Sequence, residues 1–240
     1  MTKDKSILAI IPARGGSKGV PKKNIKLLNN IPLIGYSIQE AKKSKYITRV
    51  VVSTDDEDIA EISKEFNGEI PCLRPKEFAT DTSSTIDSVV HMINYLKEKE
   101  SYSPDYICLL QCTSPLRTHE DIDRAIEKLL NTEFDGIISV CEAEVNPYWT
   151  NIFEKEKLKY FLEEGKDITR RQDLPKIYRY NGAIFIIRTD IFIKEKTFET
   201  DNITGYIMSS ENSIDIDTLN DFRIAELLMK ERDKICENWQ

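Results

Sequence analysis

Two groups of residues at opposite ends of the chain have the types and spacing to do chemistry together. Near the start, AIIPARGGSKGVPKKN (9–24) leads from an apolar run into a loop carrying Gly15, Gly16 and Gly19 beside Arg14, Lys18, Lys22 and Lys23. Glycines after a strand let backbone N–H groups approach an anion closely, and a following helix N-terminus adds positive potential. Near the end, SIDIDT (213–218) sets Asp215 and Asp217 two residues apart, so on a strand both side chains share one face. Like charges so placed repel, and a divalent cation relieves that repulsion; oxygen ligands suit magnesium, which also binds phosphate oxygens. A polyphosphate with a bound cation is the ligand the two groups imply. The glycine loop matches neither GxxxxGK[ST] nor GxGxxG, and by itself it reads equally as a solvated surface turn.

The elements that must position these groups alternate between strand and helix. SILAIIP, RVVVSTDD, DYICLLQCTSP and DGIISVCE are continuous apolar runs bounded by turn signals, the pattern of strands buried on both faces. PLIGYSIQEAKKS, DDEDIAEISKEF, SSTIDSVVHMINYLKEK and THEDIDRAIEKLL read as helices between them, the last with Thr118 as N-cap and Asp121 three residues on. A short strand is expected near EIPCLRP, a strand at GAIFIIRT, another at SIDIDT and a closing helix at LNDFRIAELLMKERDK. This order predicts an α/β fold, a mostly parallel sheet with helices on both faces. Such sheets bind ligands at the carboxyl ends of their strands, so ARGGSKGVPKKN, STDDED, LRPKEFATDTSS and QCTSPLRT should face one crevice. The acids of STDD are expected to cap the next helix rather than to react. From about 146 to 181 the periodicity lapses into mixed aromatic and charged residues, an excursion within one domain spanning 1–240.

Composition narrows the class. The chain has 240 residues and a formal net charge of −7, so it has no broad basic field for nucleic acid or anionic membrane. No apolar run is long enough for a membrane span or a signal-peptide core. Five cysteines without a CxxC pair, and two histidines away from them, give no metal-ligand spacing; they read as reduced and mostly buried. A soluble, cytoplasmic protein is expected.

The loops form an ordered series: RGGSKGVPKKN, LRP then DTSS, LLQCTSPLR, RRQDLPKIYRYNGAIF and SIDIDT. The series strongly resembles the CMP-sialic acid synthetases, or acylneuraminate cytidylyltransferases, including their legionaminic-acid relatives, from about Ile7 to Glu226. The resemblance implies a Rossmann-like nucleotidyltransferase fold whose excursion is an inserted dimerisation element. It also implies an enzyme that transfers CMP from CTP to the anomeric hydroxyl of a nine-carbon 2-keto acid sugar, with a homodimer as the working form. Two alternatives stay open: a nucleotidyltransferase for another sugar or sugar phosphate, and a non-catalytic nucleotide-binding protein on this fold.

Residue by residue, the resemblance implies that Arg14, Ser17, Lys18 and Lys23 hold the triphosphate, with Asn24 holding the loop or touching the nucleotide. Arg14, Lys23 and Asp217 become the catalytic groups, in a reaction where positioning and charge stabilisation do most of the work. Arg74 with the 80–85 segment, Ser83 and Thr85 in particular, corresponds to the cytosine and ribose region; Ser84 and Thr85 serve equally as helix caps. Gln111 and Thr113 border the acceptor sugar, and Cys112 stands where the family usually has proline. Arg171 and Asn181 are the other acceptor-site candidates, because a guanidinium can bind a carboxylate bidentately; Arg170 and Arg179 fit interface salt bridges as well. Asp215 and Asp217 would hold Mg2+ or another divalent cation such as Mn2+.

Overall fold

The computed structural model describes residues 5–17, 19–80 and 82–238. In chain order the strands are β1 (Ile7–Pro12), β2 (Leu27–Leu28), β3 (Ile31–Pro32), β4 (Arg49–Ser53), β5 (Tyr106–Leu110), β6 (Gly136–Glu142), β7 (Asn151–Glu154), β8 (Lys157–Tyr160), β9 (Tyr178–Arg188) and β10 (Ile203–Ile207). The helices are α1 (Leu33–Lys43), α2 (Glu57–Glu65), α3 (Thr85–Glu100), α4 (His119–Leu130), α5 (Thr189–Glu195) and α6 (Leu219–Asn238), with short 3-10 turns between. The central sheet has the order β10-β6-β9-β5-β1-β4. All neighbours run parallel except β9, which is antiparallel to both β5 and β6.

Alternation along β1 explains the layers. Ile7, Ala9 and Ile11 point to one face and pack with Ile34, Ile38 and Ala41 of α1, Ile59 of α2 and Ile122, Ala125, Ile126 and Leu129 of α4. Leu8 and Ile10 point to the other and pack with Val89, Met92, Ile93 and Leu96 of α3 and Phe192 of α5. A third cluster, Leu28, Leu33, Leu116, Ile216, Phe222, Ala225 and Met229, seats α6 against the segment that precedes it. The expected mostly parallel sheet with helices on both faces is therefore present. Among the described residues no helix is long and apolar enough to cross a membrane.

Helix starts follow local chemistry. Thr118 and Asp121 make a reciprocal capping box on α4, as the spacing predicts, and Ser84 with Asp87 makes another on α3. Asp56 caps α2 by accepting from the Ile59 N–H, the role expected of the STDD acids. The described cysteines, Cys72, Cys108, Cys112 and Cys141, are free thiols.

Four readings of the sequence need correction. SIDIDT is not a strand: among the described residues it makes one backbone–backbone bond to another strand's end, Ile216 N–H to the Thr113 carbonyl at 2.8 Å. The Asp221 carboxylate then accepts from the N–H groups of Asp217 and Thr218 and turns the chain into α6. EIPCLRP contributes a single bridge between Glu69 and Val51. The strand placed at GAIFIIRT begins earlier, at Tyr178, and α5 and β10 are additions to the expected order. Within 146–181 the structure places the β7–β8 hairpin and three 3-10 turns.

The layered packing fixes the expected ranking of destabilisation. Ile10→Ala empties space in the central strand and should cost about 2–5 kcal/mol, whereas Thr118→Ala removes one cap and should cost about 0.5–2 kcal/mol. Denaturant titration of the two variants measures both, and a smaller loss for Ile10→Ala than for Thr118→Ala would contradict the assigned core.

Candidate functional site

A crevice of about 630 Å³ opens at the carboxyl ends of β1 and β5. Its walls include Arg14, Ser17, Gly19, Lys23, Asn24, Arg74, Ser83, Thr85, Gln111, Thr113 and Asp217. Three of the four loops expected to face one crevice line it, those around 14–24, 74–85 and 111–113, and Asp217 joins them; the STDDED loop contributes no lining residue. Lys18 lies outside the described residues.

The first wall is the loop after β1. Its start is pinned by Ala13 N–H to the Ser53 carbonyl at 2.9 Å and by Gly15 N–H to the Asp55 carboxylate at 3.2 Å. The buried Asn24 closes it from the other end, donating to the Arg14 carbonyl at 3.0 Å. Arg14 itself reaches the Thr80 carbonyl at 2.8 Å and so bridges to the next wall. Gly19 is irreplaceable on steric grounds, since a Cβ there would stand 2.3 Å from the Asp217 carbonyl oxygen. Lys22 sits in the left-handed region with φ 50°, and the turn aims Lys23 inward. Lys23 Nζ donates to the Ile216 carbonyl at 2.6 Å and to the Asp217 carboxylate at 3.3 Å. The Lys23 side chain is 14% exposed and that of Asp217 77%, so the pair has a sheltered cation and a solvated acid.

The second wall is built around Arg74. Its guanidinium donates to the Ser53 carbonyl at 3.1 Å and to the Ser88 hydroxyl, while its buried Nε has no partner among the described residues. Burial pulls its pKa down, and the nearby Asp55 carboxylate opposes that shift. Ser83 braces its own turn by donating to the Glu77 carbonyl at 3.0 Å and accepting from Thr80 N–H at 3.1 Å. Thr85 opens α3, whose N-terminus faces the crevice beside Ser84. Ser88, one turn on, was not anticipated; its i+4 spacing from Ser84 is the trace it leaves in the sequence.

The third wall is Gln111 to Thr113 after β5. Cys112 is buried against the Pro12 carbonyl, and burial pushes its thiol up to about 12, so it stays protonated. The Thr113 hydroxyl donates to Gln111 Oε1 at 3.4 Å and lies beside the Asp215 carboxylate. Burial raises the Asp215 pKa first of all, the Thr113 hydroxyl lowers it, and the Asp217 charge raises it again. The two acids are thus electrostatic neighbours although SIDIDT forms no strand. Asp215 Oδ1 is buried without a hydrogen-bond partner among the described residues.

Two acceptor-site candidates stand elsewhere. Asn181 is 1% exposed and its amide is fully engaged. It donates to the Ser213 hydroxyl at 2.8 Å and to Met208 Sδ at 3.2 Å, and accepts from the Ser139 hydroxyl at 2.6 Å and Ala183 N–H at 3.2 Å. It stands behind the crevice wall, held where β9 bulges against Ser139 of β6. Arg171 is exposed in a 3-10 turn of the excursion, outside the crevice walls. Arg179 pairs with Glu144 at 2.9 Å and Arg170 with Asp173 at 2.7 Å.

Comparison with known proteins gives a consistent result. The family described as Cytidylyltransferase matches residues 8–230. The CMP-N,N'-diacetyllegionaminic acid synthase of Legionella pneumophila is 34% identical over 225 residues, 93% of this chain and 96% of that protein. The pseudaminic acid cytidylyltransferase of Campylobacter jejuni is 30% identical over 93% of this chain and 96% of its own length. The N-acylneuraminate cytidylyltransferase of Streptococcus agalactiae is 34% identical over 90% of this chain and 51% of that protein. Among solved structures, CMP:2-keto-3-deoxy-manno-octonic acid synthetase complexed with CTP aligns with a TM-score of 0.70 at 16% identity, over 95% of this chain and 99% of that one. That likeness establishes the nucleotidyltransferase fold.

The Gly19 contact generates a direct test. Gly19→Ala must push the loop away from Asp217, and overpacking of this kind costs about 1–3 kcal/mol, roughly 5- to 150-fold in an affinity. Calorimetric titration with a nucleoside triphosphate should show that loss, while Gly16→Ala, where a Cβ meets nothing within 4 Å, should leave binding unchanged.

Proposed function

Because the chain belongs to the cytidylyltransferase family, we propose that its crevice transfers CMP from CTP to the anomeric 2-hydroxyl of a nonulosonic acid of the N-acetylneuraminic or legionaminic type. The acceptor oxygen attacks the α-phosphorus, the bond to the bridging oxygen of the β-phosphate breaks, pyrophosphate leaves and the hydroxyl proton passes to water. The observation that carries this reading is the meeting of Arg14, Lys23 and Asp217 in one crevice with Arg74 on a neighbouring wall. The named relatives act on legionaminic, pseudaminic and acylneuraminic acids, which supports a nine-carbon 2-keto acid as acceptor.

In this reading Arg14, Ser17, Lys18 and Lys23 bind the triphosphate, and Lys23 and Arg14 stabilise the charge that builds on the departing pyrophosphate. Arg74, fixed against Ser53 and Ser88, reads the base edge, with Ser83 and Thr85 lining the nucleoside end. Asn24 holds the loop through the Arg14 carbonyl. Gln111 and Thr113 face the acceptor. Asn181 serves the acceptor site through Ser213 and Ala183, to which it is bonded, rather than by touching sugar.

A divalent cation fits this donor set. Asp215 carries a buried, unpartnered carboxylate oxygen beside Asp217, and two carboxylates completed by phosphate oxygens and water suit Mg2+ or Mn2+. When bound, the cation neutralises the α-phosphate and acidifies the attacking hydroxyl.

We also assign the 146–181 excursion to pairing of two chains. Its hairpin carries Ile152, Phe153, Leu158 and the nearby Phe161 at the surface, Phe153 being 77% exposed. A homodimer formed through this element is the arrangement in which the exposed Arg171 meets an acceptor carboxylate. The reaction belongs with the nucleotide pool of the cytoplasm.

Pyrophosphate release tests the reading. Release is expected from CTP with one nine-carbon acid and Mg2+, and neither from UTP, GTP or ATP nor after chelation with EDTA. Lys23→Met should lower kcat by about 10²- to 10³-fold. No release from any pair, with CTP still bound, would favour a nucleotide-binding protein without catalysis.

A further inference from the structure

Arg117 lies beneath the crevice and forms no part of its walls. It is the bulkiest of the fully enclosed side chains, 1% exposed, and among the described residues no carboxylate forms an ion pair with it. Its neighbours Cys108 and Cys112 are thiols whose pKa values burial pushes up to about 12, so neither neutralises it. A guanidinium in such a place is costly to desolvate. Its Nε is buried without a partner among the described residues, and an apolar side chain would fill the same volume without that cost, so the use must lie with the two terminal nitrogens.

That use is visible in where they go. Nη1 donates to the Gln111 carbonyl at 3.1 Å and to the Ala183 carbonyl at 2.9 Å, and Nη2 donates to the Ser37 hydroxyl at 2.8 Å. Ser37 in turn donates to the same Gln111 carbonyl at 3.2 Å. One rigid fork therefore joins the exit of β5, the bulged part of β9 and the middle of α1. Next to the two clamped carbonyls lie the Gln111 side chain and Gly182. Gly182 adopts φ +73°, and a Cβ on it would stand 3.2 Å from Gln111 Oε1 and 3.5 Å from Asp215 Oδ2. Small movements of Ala183 relative to Gln111 would alter that spacing directly.

We propose that Arg117 is a positioning residue for the acceptor. By holding the Gln111 and Ala183 carbonyls from behind, it sets the Gln111 side chain and the Gly182 edge at the separation the sugar requires. This rests on the reading that Gln111 faces the acceptor. The triphosphate loop and Arg74 are anchored instead to Ser53, Ser88, Asn24 and Ile216, so nucleotide binding does not depend on the clamp.

Arg117→Lys keeps the charge and loses the fork, which makes it the informative variant. The expected result is an acceptor KM raised about tenfold with a CTP Kd changed by less than about twofold. Combining it with Gln111→Ala should raise the acceptor KM no further than Gln111→Ala alone, because coupled residues are not additive. A CTP Kd that worsens in step with the acceptor KM and with the melting temperature would overturn the proposal, as would full additivity in the double variant. If Arg117→Lys does not fold, Ser37→Ala removes one partner of the fork and should produce a smaller split in the same direction; an unchanged acceptor KM there overturns the clamp. Gln111→Ala with an unaltered acceptor KM would refute the acceptor seat itself, an outcome distinguishable from failure of the clamp alone.

Discussion

The contact of Lys23 with the Ile216 carbonyl and the Asp217 carboxylate closes the molecule around its crevice. Lys23 belongs to the loop that leaves the first strand, and Ile216 and Asp217 to the extended segment that enters the last helix. Gly19 presses its α-carbon against the Asp217 carbonyl, so the two segments are shaped as one unit. A cation held by a carbonyl and a solvated carboxylate is already in position before an anionic ligand arrives. Stabilisation of this kind needs little rearrangement at the moment of reaction, which is what makes preorganised charge effective.

Behind that closure stands a layer of buried polar side chains. Asn181, Ser139 and Ser213 satisfy one another where β9 departs from register, and Arg117 ties the same region to β5 and α1. The antiparallel strand of the central sheet, β9, explains why such a layer is needed. Its first half arrives at the edge where β1, β4 and β5 finish, and a bulge with side-chain bonds replaces the lost ladder while re-aiming Gly182 toward Gln111 and Asp215. Hydrogen-bonded networks of this type help to confer a single geometry on a site.

Much of the framework is legible from local pattern. The alternation of Ile7 to Ile11 and the Thr118–Asp121 box depend on neighbours in sequence, and they appear as expected. The basic glycine loop, which by itself reads equally as a solvated surface turn, is found lining the crevice. What fails is whatever depends on partners far along the chain. SIDIDT alternates like a strand, yet no neighbour extends a ladder to it, and the Thr218–Asp221 turn claims its backbone. Asn181 has a polar side chain that suggests contact with ligand, and only the three-dimensional arrangement shows it fully occupied behind the wall. Strand β10, with a glycine at its centre, carries too weak a period to be seen.

The central claim is that the loop after β1 and the Asp215–Asp217 segment together receive the metal-bound triphosphate. A crystal structure with CTP and Mn2+, with the metal located by anomalous scattering, tests it most directly. A manganese peak is expected within coordination distance of Asp215 or Asp217 and of a CTP phosphate, with Lys23 turned onto the triphosphate and the base beside Arg74. A triphosphate lying outside the 14–24 loop, or a metal bound away from both acids, would contradict it.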